Sequence, residues 1–351
     1  MNEKKEAGRA RRILRRIGAL LGGLLLVGVV GILIAIHVAF DTEGVTVGAV
    51  QGSVRSKDGT TIAYEKTGQG PVVILVAAAL ADRGGTKRFA KLLSEHYTVI
   101  NYDRRGRGKS GDTHPYAVEH EVEDIDALIE ESGGPVFLFG SSSGSVLALE
   151  AATSLGMKVK GLFMYEPPFI VDGSHSPVPN DLSNEITELV AAGRRNDAVK
   201  LFFTKGMGIP PFGVTLMRFL MPGWSKMTGM ASTLPYDLAI LEETQTGKPL
   251  PKERWVSNTT PTLITVGSRS ELFFHSGAKA LAGILPHADY RSLEGGNHGS
   301  VLLSPKALAG AVEQFFRTRR RQLTSTVRHK LLRSPHAQRP PHGRLRSYGQ
   351  T

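Results

Sequence analysis

The sequence predicts an α/β fold: a mostly parallel sheet covered by helices on both faces, with a helical insertion late in the chain and an apolar segment ahead of it. Three observations carry that expectation. Apolar runs of strand length alternate with helical patterns from about residue 50 to 170, the pattern of repeated β-α-β units. From 171 to 260 no strand pattern appears, and the alternation then resumes over 261–316. Within it, Val136 to Glu150 reads as a buried strand, a small-residue turn and an Ala/Leu-rich helix, with G-x-S-x-G (Gly140, Ser142, Gly144) in the turn.

Residues 1–16 hold seven Lys or Arg against two Glu and form a basic N-terminus. Ile17 to Phe40 is a 24-residue stretch whose only strongly polar member is His37. As a helix rising about 1.5 Å per residue it is long enough for a hydrocarbon core of roughly 30 Å, with some tilt. The run exceeds the apolar region of a cleaved signal peptide and no A-x-A-like site follows, so an uncleaved anchor is expected, with secretion after cleavage as the alternative. Basic residues precede the span and Asp41 and Glu43 follow it. The expectation is a single-pass cell-membrane protein, N-terminus cytoplasmic and folded domain extracytoplasmic. Gly18 and Gly22 form one G-x-x-x-G, which points to weak homodimerisation.

Gln51–Arg55 and Thr61–Lys66 flank Lys57-Asp58-Gly59 and read as a hairpin with an Asp-Gly turn. The strand Pro71–Val76 leads into the loop 77–85, a helix over Lys87–Glu95 and a strand over Thr98–Tyr102. A helix over Glu119–Glu131, a strand over 135–140, a helix over 144–155 and a strand over Lys160–Tyr165 follow. Residues 41–170 and 261–316 thus form the core. The latter part contains the strand Pro261–Val266, a helix over 275–285, the strand Tyr290–Leu293, the loop Glu294–Gly299 and a helix over Pro305–Phe316.

Between the two parts, 171–260 reads as a helical cap: Leu182–Ala192, Asp197–Thr204, Val214–Met221 and Leu234–Glu243, separated by Pro- and Gly-containing turns. Met207, Met217, Met221, Met227 and Met230 in it are candidates either for an adaptable apolar pocket or for the cap's own core. Residues 317–351 hold ten basic residues, no acid and few apolar residues, and read as a basic disordered tail.

Composition excludes several classes. The formal charge is +11, but the N-terminus carries +5 and the tail +10, leaving −4 on the 300 residues between them. The basicity belongs to the ends, so it is no footprint for nucleic acid. The absence of cysteine excludes disulfides, a thiol nucleophile and cysteine-ligated metal. No His/Asp cluster has ligand spacing, and neither a metal nor an organic cofactor is expected. Gly106-Arg107-Gly108-Lys109-Ser110 looks like the end of a phosphate-binding loop, but the first glycine of G-x-x-x-x-G-K-S/T would fall on Asp103. Asn258-Thr259-Thr260 fits a glycosylation sequon, a frequent chance match.

The chemistry centres on Ser142. A serine at the apex of a strand-to-helix turn is forced into a strained backbone conformation that small flanking residues permit, and its hydroxyl then sits at a helix N-terminus favouring negative charge. A bare G-x-S-x-G is often a loop without chemistry; here the strand before and the helix after supply the context of a catalytic serine.

Four features together resemble the α/β-hydrolase superfamily, especially its small bacterial esterase-like and haloperoxidase-like members. They are Tyr102-Asp103-Arg104-Arg105-Gly106-Arg107-Gly108-Lys109-Ser110 after a strand, the elbow at Ser142, the helical insertion, and Gly296-Asn297-His298 after the last strand. The resemblance covers residues 50–316 and implies an α/β-hydrolase fold with Ser142 as nucleophile and His298 as its general base. It leaves the substrate open. Ser270, in Gly267-Ser268-Arg269-Ser270-Glu271, stands where relatives commonly carry the acid. Glu271 is one residue displaced, and Glu166 lies at the strand end from which some relatives, such as certain haloalkane dehalogenases, supply it. Glu166 is preferred because a strand end is rigid and Pro167-Pro168 stiffens its exit. The oxyanion donors are expected to be the backbone N–H of Ser143 and that of Ala78 or Ala79, in a loop where relatives usually have His-Gly in place of Ala77-Ala78.

The expected function is a membrane-anchored serine hydrolase cleaving a carboxylic ester or related acyl bond of an apolar small molecule through an acyl-enzyme. The alternatives are a C–C hydrolase or cofactor-free perhydrolase with the same three roles, and a hydrolase-fold binding module with weak catalysis.

Overall fold

The expected strands fold as one eight-stranded sheet. β1 (Val50–Arg55) and β2 (Thr61–Thr67) form the hairpin around Asp58-Gly59, where Gly59 takes the left-handed φ of +87° that the turn requires. β3 (Val72–Val76), β4 (Thr98–Tyr102), β5 (Val136–Ser141), β6 (Val159–Tyr165), β7 (Thr262–Gly267) and β8 (Ala288–Leu293) complete the order β1-β2-β4-β3-β5-β6-β7-β8. β1 and β2 are antiparallel to their neighbours, and every pairing from β4 to β8 is parallel. This computed structural model describes residues 48–220 and 223–332. The basic N-terminus, the span expected over 17–40, Met221 and the tail from 333 lie outside the described residues. Among the described residues no helix is long and apolar enough to cross a membrane.

Period-two alternation divides the strand side chains between two layers. Ile74 and Val76 join the core beneath α2 (Val118–Glu131), α3 (Ser143–Leu155) and α9 (Leu272–Ala282), whereas Val73 and Leu75 join the core beneath α1 (Arg83–Leu93) and α11 (Pro305–Leu332). α1 starts four residues earlier than the sequence pattern indicated. Asp82 caps it, accepting the Gly84 N–H at 2.9 Å, so the Gly-Gly pair that reads as loop is held in the first turn.

The segment between β6 and β7 is helical: α4 (Leu182–Ala191), α5 (Arg195–Leu201) running on into a π-helical turn (Phe202–Gly206), α6 (Pro211–Leu220), α7 (Trp224–Gly229) and α8 (Leu234–Ile240). These helices share their own apolar core, which includes Leu182, Ile186, Phe202, Phe203, Trp224 and Leu234 together with Leu80 from the loop after β3. A short α10 (Ser300–Leu303) precedes α11.

The tail differs from the sequence expectation, because α11 continues through Leu332 and residues 317–332 are helical. Low apolar content suggested disorder there. Yet the helix is already seated through Leu308, Val312, Phe315 and Phe316, and the stretch beyond holds no Gly or Pro to stop it before Pro335. Arg319 adds a contact over the Phe315 ring at 5.2 Å. Phe316 is fully buried against Phe137, with ring centroids 4.5 Å apart. Phe316→Ala is therefore expected to cost about 3–5 kcal/mol in urea denaturation, and a loss below about 1 kcal/mol would contradict the seating of α11.

Candidate active site

Sterics build the turn between β5 and α3. Ser142 sits at φ +51°, ψ −130°. Its N–H donates to the Tyr165 carbonyl at 2.9 Å, and its carbonyl accepts from the Ser145 N–H at 2.9 Å and the Ser145 hydroxyl at 2.6 Å. A Cβ on Gly140 would collide with the Gly144 and Ser145 backbone, and one on Gly144 with the Val76 and Ala77 carbonyls. The two glycines thus let the elbow close and press it against the end of β3. Ser143 opens α3, so its N–H has no intrahelical acceptor.

Glu166 follows β6 as Ser142 follows β5. It also has a left-handed backbone, φ +52°, and its side chain is completely buried. One carboxylate oxygen accepts from the Gly267 N–H at 2.8 Å and from the Ser270 hydroxyl; the other lies 2.8 Å from His298 Nδ1. The His298 side chain is 34 % exposed and stacks on Phe274 at 4.8 Å. The preceding residue is fixed by the Tyr165 hydroxyl, which donates to the Asn297 carbonyl at 2.7 Å. A carboxylate against Nδ1 holds the proton there and leaves Nε2 as an acceptor. Three of the four non-glycine residues at positive φ among those described are Leu80, Ser142 and Glu166, all in this region. Such concentrated backbone strain is a mark of a functional site.

The structure thus brings Glu166 to His298, while Glu271 is exposed at the N-terminus of α9. Ser270, standing where an acid was looked for, donates its hydroxyl to that same Glu166. Ser142, Ser143, Ala78, Ala79, His298 and Glu271 all line one cavity of about 490 Å³ between sheet and cap. Its cap wall includes Phe202, Phe203, Met207, Met227 and Met230. Met217 instead packs on the cap core.

Sequence reasoning missed the group that fastens this cavity. Asp237 of α8 is wholly buried, with Oδ1 2.7 Å from Arg104 and Oδ2 2.6 Å from Arg107. Arg104 also makes a bidentate pair with buried Glu121 at 2.6 and 2.7 Å, so two guanidiniums face two carboxylates. Burial pushes the Asp237 carboxyl up, but Arg107 and Arg104, with hydrogen bonds from Arg104 and Ser143, hold it below the usual carboxylate range. The Ser143 hydroxyl donates to Asp237 at 2.8 Å. Arg107 donates to the Ala78 carbonyl at 2.7 Å and the Ala81 carbonyl at 3.2 Å, and Arg104 to the Ala77 carbonyl at 3.2 Å. In a trans peptide the N–H points opposite to its carbonyl, so the amides of Ala78 and Ala79 are turned away from the arginines. The acid lies some 130 residues from both arginines in sequence, so no local pattern joins them.

The rest of that arginine motif is structural. Arg105 is held by Asp124 at 2.7 Å and Asp58 at 2.9 Å, and Asp103 accepts the Arg83 and Lys109 N–H groups, both at 2.9 Å. It closes on itself and offers no phosphate cradle. Asn258 is 1 % exposed and accepts the Thr260 N–H at 2.7 Å, so the sequon is not presented at the surface. Among the described residues no group of His, Asp and Glu could hold a metal ion.

A model of the Alpha/beta hydrolase family matches residues 73–311. The crystal structure of an alpha/beta hydrolase from Sphaerobacter thermophilus is 45 % identical, with a TM-score of 0.70 over 76 % of this chain and 100 % of that one. The uncharacterized hydrolase YraK of Bacillus subtilis is 33 % identical over 113 residues, which are 31 % of this chain and only 42 % of YraK. The pimeloyl-(acyl-carrier protein) methyl ester esterase of Xanthomonas oryzae is 26 % identical over 252 residues, 71 % of this chain and 96 % of that enzyme.

Asp237→Asn leaves two buried guanidiniums facing one carboxylate, and is expected to destabilise the fold by roughly 3–5 kcal/mol. The native carboxyl titrates below the ordinary aspartate value of 3.8, so its contribution is complete above that pH and is lost as the pH falls through the native value. The asparagine variant should therefore lose less stability than wild type on acidification below pH 3.8, and parallel pH–stability curves would contradict the assignment.

Proposed function

The chain belongs to the alpha/beta hydrolase family, and from that premise we propose that it is a serine hydrolase cleaving a carboxylic ester or related acyl bond. In this reading Ser142 attacks the acyl carbon and His298 takes its proton through Nε2. Glu166 holds the ring in the tautomer that leaves Nε2 free and stabilises the imidazolium that forms. The oxyanion accepts from the Ser143 N–H and from the Ala78 or Ala79 N–H. Collapse breaks the bond to the leaving group, which departs with the proton from His298. Water then attacks the acyl-Ser142 ester with His298 again as base, releasing the acid and restoring the serine.

The observation that carries the proposal is the contact of His298 Nδ1 with buried Glu166, 2.8 Å long, opening with the strained Ser142 onto one apolar cavity. A hydroxyl is a weak nucleophile at neutral pH, and a positioned imidazole is what activates it. The Xanthomonas oryzae methyl ester esterase, similar over most of its length, supports an ester as the bond cleaved. The cavity's Met and Phe lining favours an apolar acyl group. The proposal keeps the 17–40 segment as a membrane anchor, with the catalytic domain outside the cytoplasm.

The test is the rate at which a fluorophosphonate labels the protein, followed by intact mass. Wild type should label stoichiometrically, Ser142→Ala and His298→Ala should not, Glu166→Gln should label about 10³–10⁴-fold more slowly, and Glu271→Gln should match wild type. Labelling that survives in Ser142→Ala would end the proposal. A slowed Glu271→Gln with a normal Glu166→Gln would move the acid to Glu271.

A further inference from the structure

Large apolar side chains are also exposed on the elements around the cavity. Eight large apolar side chains are exposed among the described residues, and five belong to elements that border the cavity. Leu272 lies between Glu271 and Phe273, which both line the cavity, and Leu303 follows Leu302, which also does. The other three are Phe212, Leu216 and Phe219, exposed by 77 %, 55 % and 76 %, on α6. This helix bridges two points of the cavity wall, since Ile209 before it and Gly223 after it line the cavity.

The spacing of the three, i, i+4 and i+7, places them on one face. Val214 is buried in the cap core, so α6 has an inner apolar anchor and an outer apolar ridge. A helix apolar on both sides is ordinarily covered on both, and an exposed patch of this kind marks an interaction surface. Exposed Arg218 stands over the Phe219 ring at 5.9 Å, and α6 carries no acidic residue.

We propose that α6 is a lipid-docking helix, whose ridge of Phe212, Leu216 and Phe219 enters the headgroup–acyl boundary of a bilayer and seats the cavity mouth against it. Aromatic and leucine side chains on one face beside a cation suit that boundary, the rings lying among acyl chains and the guanidinium among phosphates. The area argues against a second copy as occupant. At about 200 Å² for each large side chain the ridge exposes about 400 Å², half of the about 800 Å² per partner in a stable protein interface. The cavity is apolar, so an ester that fits it dissolves in a bilayer. The sequence carries a 24-residue apolar run ending ten residues before β1, and with that run as the proposed anchor a bilayer lies beside this domain. The docking rests on the exposed ridge; the delivery of substrate from the bilayer rests on the ester-hydrolase proposal.

The experiment uses the full chain, wild type and the triple variant Phe212→Ser, Leu216→Ser, Phe219→Ser, with vesicles of phosphatidylcholine and phosphatidylglycerol. Hydrogen–deuterium exchange over 211–220 reads docking without turnover. Rates on p-nitrophenyl butyrate in solution and p-nitrophenyl palmitate in the vesicles read its consequence, and sedimentation reads self-association. Wild-type α6 amides should exchange more slowly on vesicle addition. The triple variant should lose that protection, keep the butyrate rate within about twofold and lose about tenfold or more on the vesicle-borne ester. Protection of α6 in a wild type that turns over neither ester would uphold docking and remove the hydrolase proposal alone. Unchanged exchange on vesicle addition would overturn docking, as would equal losses on both esters. A wild-type dimer that the triple variant converts to monomer would assign the ridge to a second copy instead.

Discussion

Asp237 lies between Arg104 and Arg107 with no solvent at any of the three side chains, and the position of the cap over the sheet depends on that contact. Two buried guanidiniums demand two carboxylates; Glu121 from α2 supplies one and the cap supplies the other. A cap displaced from this position would strand charge in a dry interior, a state far costlier than the loss of apolar packing. The same arginines turn the carbonyls of Ala77, Ala78 and Ala81 inward, and the same aspartate holds the Ser143 hydroxyl. One ionic cluster therefore sets the seat of the cap, the peptide orientation of the loop after β3 and the first residue of α3. Here three alanines follow one path, because their carbonyls have fixed partners.

The second constraint is the pair of left-handed residues at adjacent strand ends. Ser142 follows β5 and Glu166 follows β6, each at a φ near +50° that a side chain disfavours. They are tied to each other through the backbone, since Ser142 donates to the Tyr165 carbonyl. Glu166 in turn is pinned by Gly267, by Ser270 and by His298. In the proposed mechanism this network fixes the histidine without any acid after β7. Ser270 retains a contact at that place, now as a donor to the relocated carboxylate.

What the sequence made legible was what is local. The strand–turn–helix around Ser142, the glycine-flanked His298 and the rigid strand end at Glu166 each lie within a few residues that announce their geometry, and the sheet alternation follows from period-two patterning. Asp237 was illegible because its meaning depends on arginines in another part of the chain, and nothing in Leu234–Ile240 distinguishes it from a surface aspartate. The helical run of 317–332 was misread because composition reports the lack of a core, whereas a helix seated at Phe315 and Phe316 continues until something breaks it. Of the five methionines considered for the pocket, Met207, Met227 and Met230 line it and Met217 does not, a division set by cap packing that spacing does not encode.

The central claim is that an acyl group passes through Ser142. Rapid quenching of wild type with excess p-nitrophenyl butyrate, followed by intact and peptide mass analysis, tests it most directly. The account predicts a transient adduct of one butyryl group on the peptide containing Ser142. Turnover of the ester with no adduct at any quench time, or an adduct on another residue, would contradict it.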